Sequence, residues 1–272
     1  MRTTLILFAL GCPLWLFAKT ELTGVVVDEA SKNPISYVNI GVFDKNIGTV
    51  SDAKGVFSLN IGEIGPGDSI VFSIVGYKRV AHPLRELLNT SPLIIRLRED
   101  VINLREIVIE NDPSDIKTLG VNRVSGKRFG FVGGIGAGAE VSRKMSVSKP
   151  SLLQSASIYV RNKRNGSFKL RLNVYTIDRN ANEPGHSLLT RSIILESDLK
   201  EGWLNYDFKE PLVVDEPFYI SYEWVEANLQ NPMIALRGNN HDERVRVRPV
   251  SMGRWIMGGN YDFAIRCEVM ND

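Results

Sequence analysis

The sequence predicts an all-β protein made of two consecutive β-sandwich domains. Three observations lead to this prediction: apolar and polar residues alternate in many short runs, turn-forming residues separate those runs, and few stretches have helical periodicity. The chain has 272 residues, which is long for one domain and sufficient for two that each bury a core. The predicted parts are a signal peptide at 1–18, an N-terminal sandwich at 20–110, a linker at 111–120 and a second sandwich or jelly roll at 121–272.

The first 18 residues have the pattern of an export signal. Arg2 is followed by an apolar run that ends at Ala18, a small residue before the polar Lys19. This run is shorter than the about 20 uninterrupted apolar residues that a membrane helix needs. We therefore expect cleavage near Ala18 and an exported protein in the periplasm or at the cell surface. Lipid attachment at Cys12 is an alternative.

Charge and cysteine content argue against a nucleic-acid partner and against an intramolecular disulfide. The formal net charge is +2 and no basic block is present, so we expect no nucleic-acid partner. Once Cys12 leaves with the signal peptide, Cys267 is the one remaining cysteine and no intramolecular disulfide can form. It shares one face of a predicted strand with Phe263, Ile265 and Val269. This pattern favours a packed core thiol over a reactive one.

The stretch from Gly48 to Tyr77 predicts a β-meander. Asp52 and Gly55 mark a turn, because Asp can accept hydrogen bonds from the backbone two residues on and Gly adopts positive φ without steric cost. Apolar residues occupy every second position in the strand after this turn and in the strand after a second turn at 62–67.

This part of the chain also resembles a known family. The residues that match its pattern are Leu22-Thr23-Gly24-Val25-Val26-Val27-Asp28, Asn33-Pro34-Ile35-Ser36-Tyr37-Val38-Asn39-Ile40, Gly48-Thr49, Ser51-Asp52, Gly55-Val56-Phe57, Phe72-Ser73 and Gly76-Tyr77. With them, residues 21–110 resemble the carboxypeptidase-regulatory-like domain, a seven-stranded, transthyretin-like β-sandwich. This domain is found beside metallocarboxypeptidase catalytic domains and at the N-termini of TonB-dependent outer-membrane receptors. The resemblance implies a non-catalytic folding or docking module.

The second half predicts an antiparallel sandwich or jelly roll, with turns at 165–166 and 183–185. Its predicted strands are 155–160, 168–175, 191–195, 203–208, 218–224, 233–236 and 261–269. The run from Leu170 to Ile220 is similar to bacterial extracytoplasmic jelly-roll modules, some of which lie beside carbohydrate-active or adhesive domains. We find no succession of membrane-type strands with aromatic girdles, so no receptor barrel is predicted.

Motifs for cofactors and metals are weak. Gly134, Gly136 and Ala139 have the spacing of a loose dinucleotide fingerprint, but residues 140–147 alternate at period two where a helix would have to begin. The three histidines, all predicted in loops, lack metal-ligand spacing: they are His82, His186 and His241. We therefore expect no cofactor and no metal.

The best candidate for a binding surface is a set of aromatic and polar residues in the second half. Its members are Trp203, Tyr222, Trp224, Asn239, Asn240, Asp242, Arg254 and Trp255. Aromatic rings can present flat apolar faces to sugars, although rings also fill sandwich cores. The basic strand 244–248 has its three arginines on one face, as in a solvated edge strand. Docking to an acidic polysaccharide or protein is the functional alternative for it.

These observations lead to one expectation about function. We expect a non-catalytic envelope protein that acts as a binding or accessory module for a protein or glycan partner. One alternative is a glycan hydrolase with two carboxylates about 5–10 Å apart, for which Glu223, Glu226, Asp242 and Glu243 are candidates. The other is a purely structural envelope component.

Overall fold

The described part of the molecule is almost entirely β-structure, as the sequence predicts. The computed structural model describes residues 21–65, 67–100, 116–124, 129–130, 137–163, 166–226, 232–237, 244–259 and 262–271. Within these ranges the regular structure consists of strands and one short helix, α1 (Leu84–Leu88). No helix in the described ranges is both long and apolar enough to cross a bilayer.

In its described residues, 21–65 and 67–100, the first domain is a sandwich of seven strands, the number that the family resemblance implies. Its strands are β1 (Glu21–Asp28), β2 (Asn39–Val42), β3 (Ile47–Val50), β4 (Val56–Asn60), β5 (Ser69–Ser73), β6 (Val80–Pro83) and β7 (Ile94–Leu97). One sheet has the order β4-β1-β7 and the other the order β3-β2-β5-β6. Apolar side chains from both sheets form one core, which includes Leu22, Val26, Ile40, Phe57, Leu59, Phe72 and Leu97. His82 lies in β6 and not in a loop.

The turn before β4 forms as the sequence predicts. The backbone N–H groups of Lys54 and Val56 both donate to Oδ1 of Asp52, at 2.8 and 2.9 Å. Gly55 has φ +73°, and a Cβ there would lie 2.6 Å from a backbone oxygen of β1. Phe57 is buried and its neighbours in β4 are exposed. Local chemistry therefore specifies both the turn and the face of the strand after it.

The second domain is a larger sandwich. Its strands are β8 (Ile116–Gly120), β9 (Phe129–Gly130), β10 (Glu140–Met145), β11 (Ser151–Arg161), β12 (Phe168–Asp178), β13 (Glu183–Ser187), β14 (Ile193–Ser197), β15 (Glu201–Val214), β16 (Phe218–Trp224), β17 (Met233–Arg237), β18 (Val245–Arg248), β19 (Ile256–Met257), β20 (Asp262–Phe263) and β21 (Ile265–Asn271). The inner sheet, which faces the first domain, has the order β13-β12-β16-β10-β18-β19, with β14 also on β12. The outer sheet has the order β20-β17-β11-β21-β8, with β15 on β11 and β9 on β17.

The core of the second domain lies between these two sheets. Leu170, Leu172 and Val174 point into it from β12, and Ile158 and Cys267 point into it from the outer sheet. Cys267 is fully buried beside Phe263, Ile265 and Val269. The prediction that this cysteine is a packed core residue is confirmed.

Two local predictions are wrong. Ile116–Gly120, predicted as linker, pairs antiparallel with β21 along the edge of the outer sheet. Its side chains are mostly exposed, so it lacks the alternation that marks a half-buried strand. Residues 111–115 lie outside the described ranges. Glu183 to Gly185, predicted as a turn, begin β13, and the turn lies at 179–182, where Asn182 has φ +52°.

The first domain packs directly on the outward face of the inner sheet. Arg171 of β12 donates hydrogen bonds to Oδ1 of Asn39, at 2.9 Å, and to the carbonyl oxygen of Tyr37. Tyr37 also packs with Val50 and with Val225 at the end of β16. Both faces of the inner sheet are consequently buried, one by the outer sheet and one by the first domain.

Candidate functional site

Two of the predicted binding residues belong to the core. Tyr222 is completely buried and Trp224 is 3% exposed, both between the sheets of the second domain. The Trp224 indole N–H donates to the carbonyl oxygen of Pro232, at 3.2 Å. Their place in the predicted ligand surface is wrong, because a buried ring presents no face to a ligand. Both lie on the core face of β16, in alternation with residues that face the first domain.

Trp203 lies apart from the other candidates, on the outer sheet. Its ring meets the edge of Tyr159, with 5.5 Å between the centroids, and the guanidinium of Arg266 lies 4.1 Å from its centroid. The half-buried ring is therefore held by its neighbours on this sheet. Asn239, Asn240 and Asp242 lie outside the described residues.

Arg254 and Trp255 lie together at a cleft between the two domains. The cleft has a volume of about 800 Å³. The first domain contributes Phe43, Asp44 and Arg79, and the second contributes Thr176, Ile177, Asp178, Ala181, Glu183, Pro184, Gly185, His186, Arg248, Gly253, Arg254 and Trp255. His186 lines it from β13 and not from a loop. The structure thus brings two of the eight predicted residues to one site.

Phe43, Asp44 and Arg79 were not predicted, because they belong to the first domain. Phe43 is 54% exposed, and an aromatic residue inside a polar hairpin turn is the sequence signal that points to it. The Arg79 guanidinium lies 4.9 Å from the centroid of the Phe43 ring. Trp255 has a similar neighbour, since the Arg248 guanidinium lies 4.8 Å from its centroid. Each ring of the cleft is therefore supported by one cation.

The two walls of the cleft are joined by backbone contacts. The Asp44 N–H, in the β2–β3 hairpin, donates to the carbonyl oxygen of Met252 in the turn before Trp255, at 3.2 Å. In the same hairpin, a Cβ at Gly48 would lie 1.9 Å from the carbonyl oxygen of Ser251. Only a glycine allows the hairpin to approach this turn so closely.

Beneath the cleft lies a buried charge cluster, which we define as Glu140, Arg171, Glu223 and Arg248. Arg171 pairs with Glu223 at 3.0 Å, and Arg248 pairs with Glu140 at 2.5 Å. Both carboxylates are completely buried. They occupy facing positions on β10 and β16, and the two arginines lie opposite them on the flanking strands β12 and β18.

Neutral donors complete the charge cluster around Glu140. Its Oε1 accepts hydrogen bonds from Asn173 Nδ2 at 2.9 Å, Ser221 Oγ at 2.5 Å and the Tyr175 hydroxyl at 3.1 Å. Burial raises the pKa of the Tyr175 phenol well above its ordinary value, and the Glu140 carboxylate raises it further. Tyr175 therefore remains a proton donor at physiological pH.

Burial also raises the pKa of the Glu223 carboxyl, while the adjacent Arg171 acts in the opposite direction. The second carboxylate, Glu140, adds to the increase, because it lies on the neighbouring strand. Neither carboxylate lines the cleft. The cluster thus joins the domains and, through Arg248, supports Trp255, without presenting a carboxyl group to a substrate.

The basic strand is not a solvated edge, so that prediction is wrong. β18 lies between β10 and β19. Arg246 is 6% exposed, and the Arg248 side chain is 12% exposed. Arg248 pairs with the buried Glu140, a partner that the alternation of arginine and valine alone does not reveal.

Three carboxylates outside the charge cluster line the cleft: those of Asp44, Asp178 and Glu183. Burial raises the pKa of the Glu183 carboxyl; Arg246 opposes this shift, and Asp178 and Asp44 contribute to it. Oδ1 of Asp178 accepts from the backbone N–H of Asn180, at 2.9 Å, and so also stabilises the turn. In the described part of the chain, no group of three histidine, cysteine or acidic residues is arranged to hold a metal ion.

Comparison with known families identifies the first domain. Residues 22–109 match the family model of the CarboxypepD_reg-like domain, in agreement with the resemblance inferred for residues 21–110. A search of curated proteins finds no match for the chain. The domain of strands β1 to β7, which packs against the inner sheet and supplies one wall of the cleft, is a carboxypeptidase-regulatory-like domain.

Proposed function

We propose that the protein is a non-catalytic, exported component of the Gram-negative cell envelope that binds a protein or glycan partner in the cleft between its domains. The observation that supports this most is the composition of the cleft. Phe43 and Trp255 supply apolar rings from different domains, and the exposed Arg79 and Arg254 lie among them. Ligand sites in proteins are commonly concave and located at domain boundaries.

A comparison of three proteins tests this function. The wild-type chain from Lys19 onward, the variant Arg254→Ala/Trp255→Ala and the control Trp203→Ala are immobilised and exposed to an envelope extract and to a glycan array. We expect the wild type and the control to retain the same partner and the cleft variant to lose it, because Trp203 lies on the outer sheet. Failure of the wild type to retain any partner would contradict the proposal.

Export has its own test. The apolar segment at 1–18 supports export, and its residues lie outside the described part of the chain. N-terminal sequencing of the protein recovered from periplasmic and membrane fractions is expected to begin near Lys19. A chain that retains Met1 in the cytoplasm would contradict export, and a lipid on Cys12 would identify the anchored alternative.

One observation favours hydrolysis as a second candidate function. Asp44, Asp178 and Glu183 line the same cleft as the two rings, and a carboxyl group with a raised pKa suits a general acid. Release of reducing ends from polysaccharides by the wild type, abolished in Glu183→Gln, would establish this alternative. Binding without release would favour the non-catalytic function.

A further inference from the structure

The ligand class follows from the chemistry of the cleft. We propose that the cleft binds an uncharged glycan chain, whose sugar rings stack on Phe43 of the first domain and Trp255 of the second. This inference rests on the proposed function and specifies its partner. It also assigns half of the site to the carboxypeptidase-regulatory-like domain.

The two aromatic rings supply the first argument. Arg79 covers one face of Phe43 and Arg248 one face of Trp255, and the Tyr175 ring meets Trp255 edge-on, with 6.3 Å between the centroids. These neighbours fix the orientation of each ring before a ligand arrives. Phe43 is 54% exposed, so its other face is accessible. A sugar ring has an apolar face of C–H groups that suits an aromatic surface of this kind.

The charges around the rings supply the second argument. Asp44, Asp178 and Glu183 lie in the same cleft as Arg79 and Arg254. Carboxylates and guanidinium groups can accept and donate hydrogen bonds to the hydroxyls at the edge of a sugar. Arg248 also lines the cleft, so three guanidinium groups balance its three carboxylates. A lining without net positive charge does not attract a polyanion, and it therefore favours an uncharged chain over an acidic polysaccharide.

Size and composition favour a glycan over a folded protein partner. A volume of about 800 Å³ falls within the range of small-molecule sites. Cores of protein–protein interfaces are depleted in Asp and Glu, whereas three such residues line this cleft. The exposure of Phe43 at the cleft leaves room for the chain to continue into solvent.

The walls of the cleft are also joined to each other before a ligand binds. The hydrogen bond from Asp44 to Met252 and the close contact of Gly48 with Ser251 join its walls. Arg248 supports Trp255 while it pairs with the buried Glu140. A site whose walls are already fixed loses less entropy when it binds a flexible chain.

Isothermal titration calorimetry tests the inference. The probes are cello-, xylo-, manno- and chito-oligosaccharides of about six sugars, with an oligogalacturonate as the anionic comparison. The proteins are the mature wild type, Phe43→Ala, Trp255→Ala and two matched controls. Leu88→Ala removes another exposed apolar side chain of the first domain, and Trp203→Ala removes a tryptophan of the outer sheet. Circular dichroism verifies that each variant is folded.

We expect at least one uncharged oligosaccharide to bind the wild type and both controls with equal affinity. Phe43→Ala and Trp255→Ala should each weaken binding by ~10-fold or more, as expected for an aromatic ring that the bound sugar covers. Loss of binding in only one of these variants would overturn the composite site. Binding of the anionic probe alone would overturn the uncharged ligand.

The proposed function and the ligand class fail in different ways. If no oligosaccharide binds, but an envelope protein is retained by the wild type and lost by Trp255→Ala, the cleft is a binding site and the glycan inference is wrong. If neither is bound, both proposals are wrong.

Discussion

Removal of Arg171 should show that the buried charge cluster contributes far more to the stability of the protein than an ordinary surface ion pair does. The Arg171 side chain is 2% exposed, and its partner Glu223 is completely buried. Arg171→Met would leave that carboxylate without a counter-charge, beside the second buried carboxylate of Glu140. It would also remove the hydrogen bonds to Tyr37 and Asn39 of the first domain. Breaking a buried ion pair from one side costs about 3–5 kcal/mol.

The assay is urea-induced unfolding of the mature chain, followed by tryptophan fluorescence. Arg179→Met is the matched control, because Arg179 pairs with Glu216 at 2.6 Å while both side chains are well exposed. Such a surface pair contributes little, so the control should unfold like the wild type. The double variant Arg171→Met/Glu223→Leu should recover much of the lost stability, since it leaves no uncompensated charge at this pair. The reasoning would be refuted if Arg171→Met lowered the free energy of unfolding by less than about 1 kcal/mol, or if Arg171→Met and Arg179→Met lowered it equally.

Three further predictions follow from single residues. Gly48→Ala places a Cβ 1.9 Å from the Ser251 carbonyl oxygen and should destabilise the protein by ~1–3 kcal/mol in thermal unfolding. The control Gly67→Ala, whose Cβ would have no atom within 4 Å, should not destabilise it. Equal melting temperatures of the two variants would contradict this prediction. Burial raises the pKa of the Cys267 thiol to about 12, so at pH 8 about one thiol in 10⁴ is ionised. Ellman's reagent should therefore label it only on unfolding, and fast labelling of the native protein would count against its burial. The pKa of the Glu223 carboxyl is raised in the folded protein, so this group stabilises the fold below its ordinary pKa of 4.5, and the stabilisation is lost as the pH rises through the raised pKa. Glu223→Gln should therefore flatten the dependence of the unfolding free energy on pH. An unchanged pH dependence would disprove this prediction.

Local sequence patterns predicted the features that depend on neighbouring residues. The turn from Asp52 to Gly55 depends on hydrogen bonds and a positive φ within four residues, so it can be read from the sequence. The strand predicted at 218–224 has the bounds of β16, because apolar residues at alternate positions face one core. Both features depend on neighbours along the chain or on a single buried face.

The candidate site was less predictable because it depends on contacts between domains. Alternating serine, tyrosine and glutamate on β16 indicate a solvent-facing side, yet Ser221 and Glu223 are fully buried under the first domain. The burial of Arg248 was equally hard to predict, because its partner Glu140 lies more than 100 residues earlier in the chain. Alternation identifies the two faces of a strand, and only the domain arrangement determines what covers the second face.

Phe43 was missed for a related reason. The predicted binding residues all belong to the second half of the chain, whereas Phe43 belongs to a hairpin of the first domain. Trp255 was predicted as one of several aromatic residues of the second half that can present a flat apolar face to a sugar. Only the fold places these two rings on opposite domains around one cleft.

Hydrogen–deuterium exchange of the mature chain, with and without the partner or oligosaccharide that it retains, tests the central claim most directly. A ligand held between the domains should slow exchange in two segments at once, the β2–β3 hairpin at 42–47 and the turn at 250–255, which are more than 200 residues apart in sequence. Slower exchange in both segments is the predicted result. Protection confined to one domain, or located on the outer sheet, would contradict a binding site built from both domains.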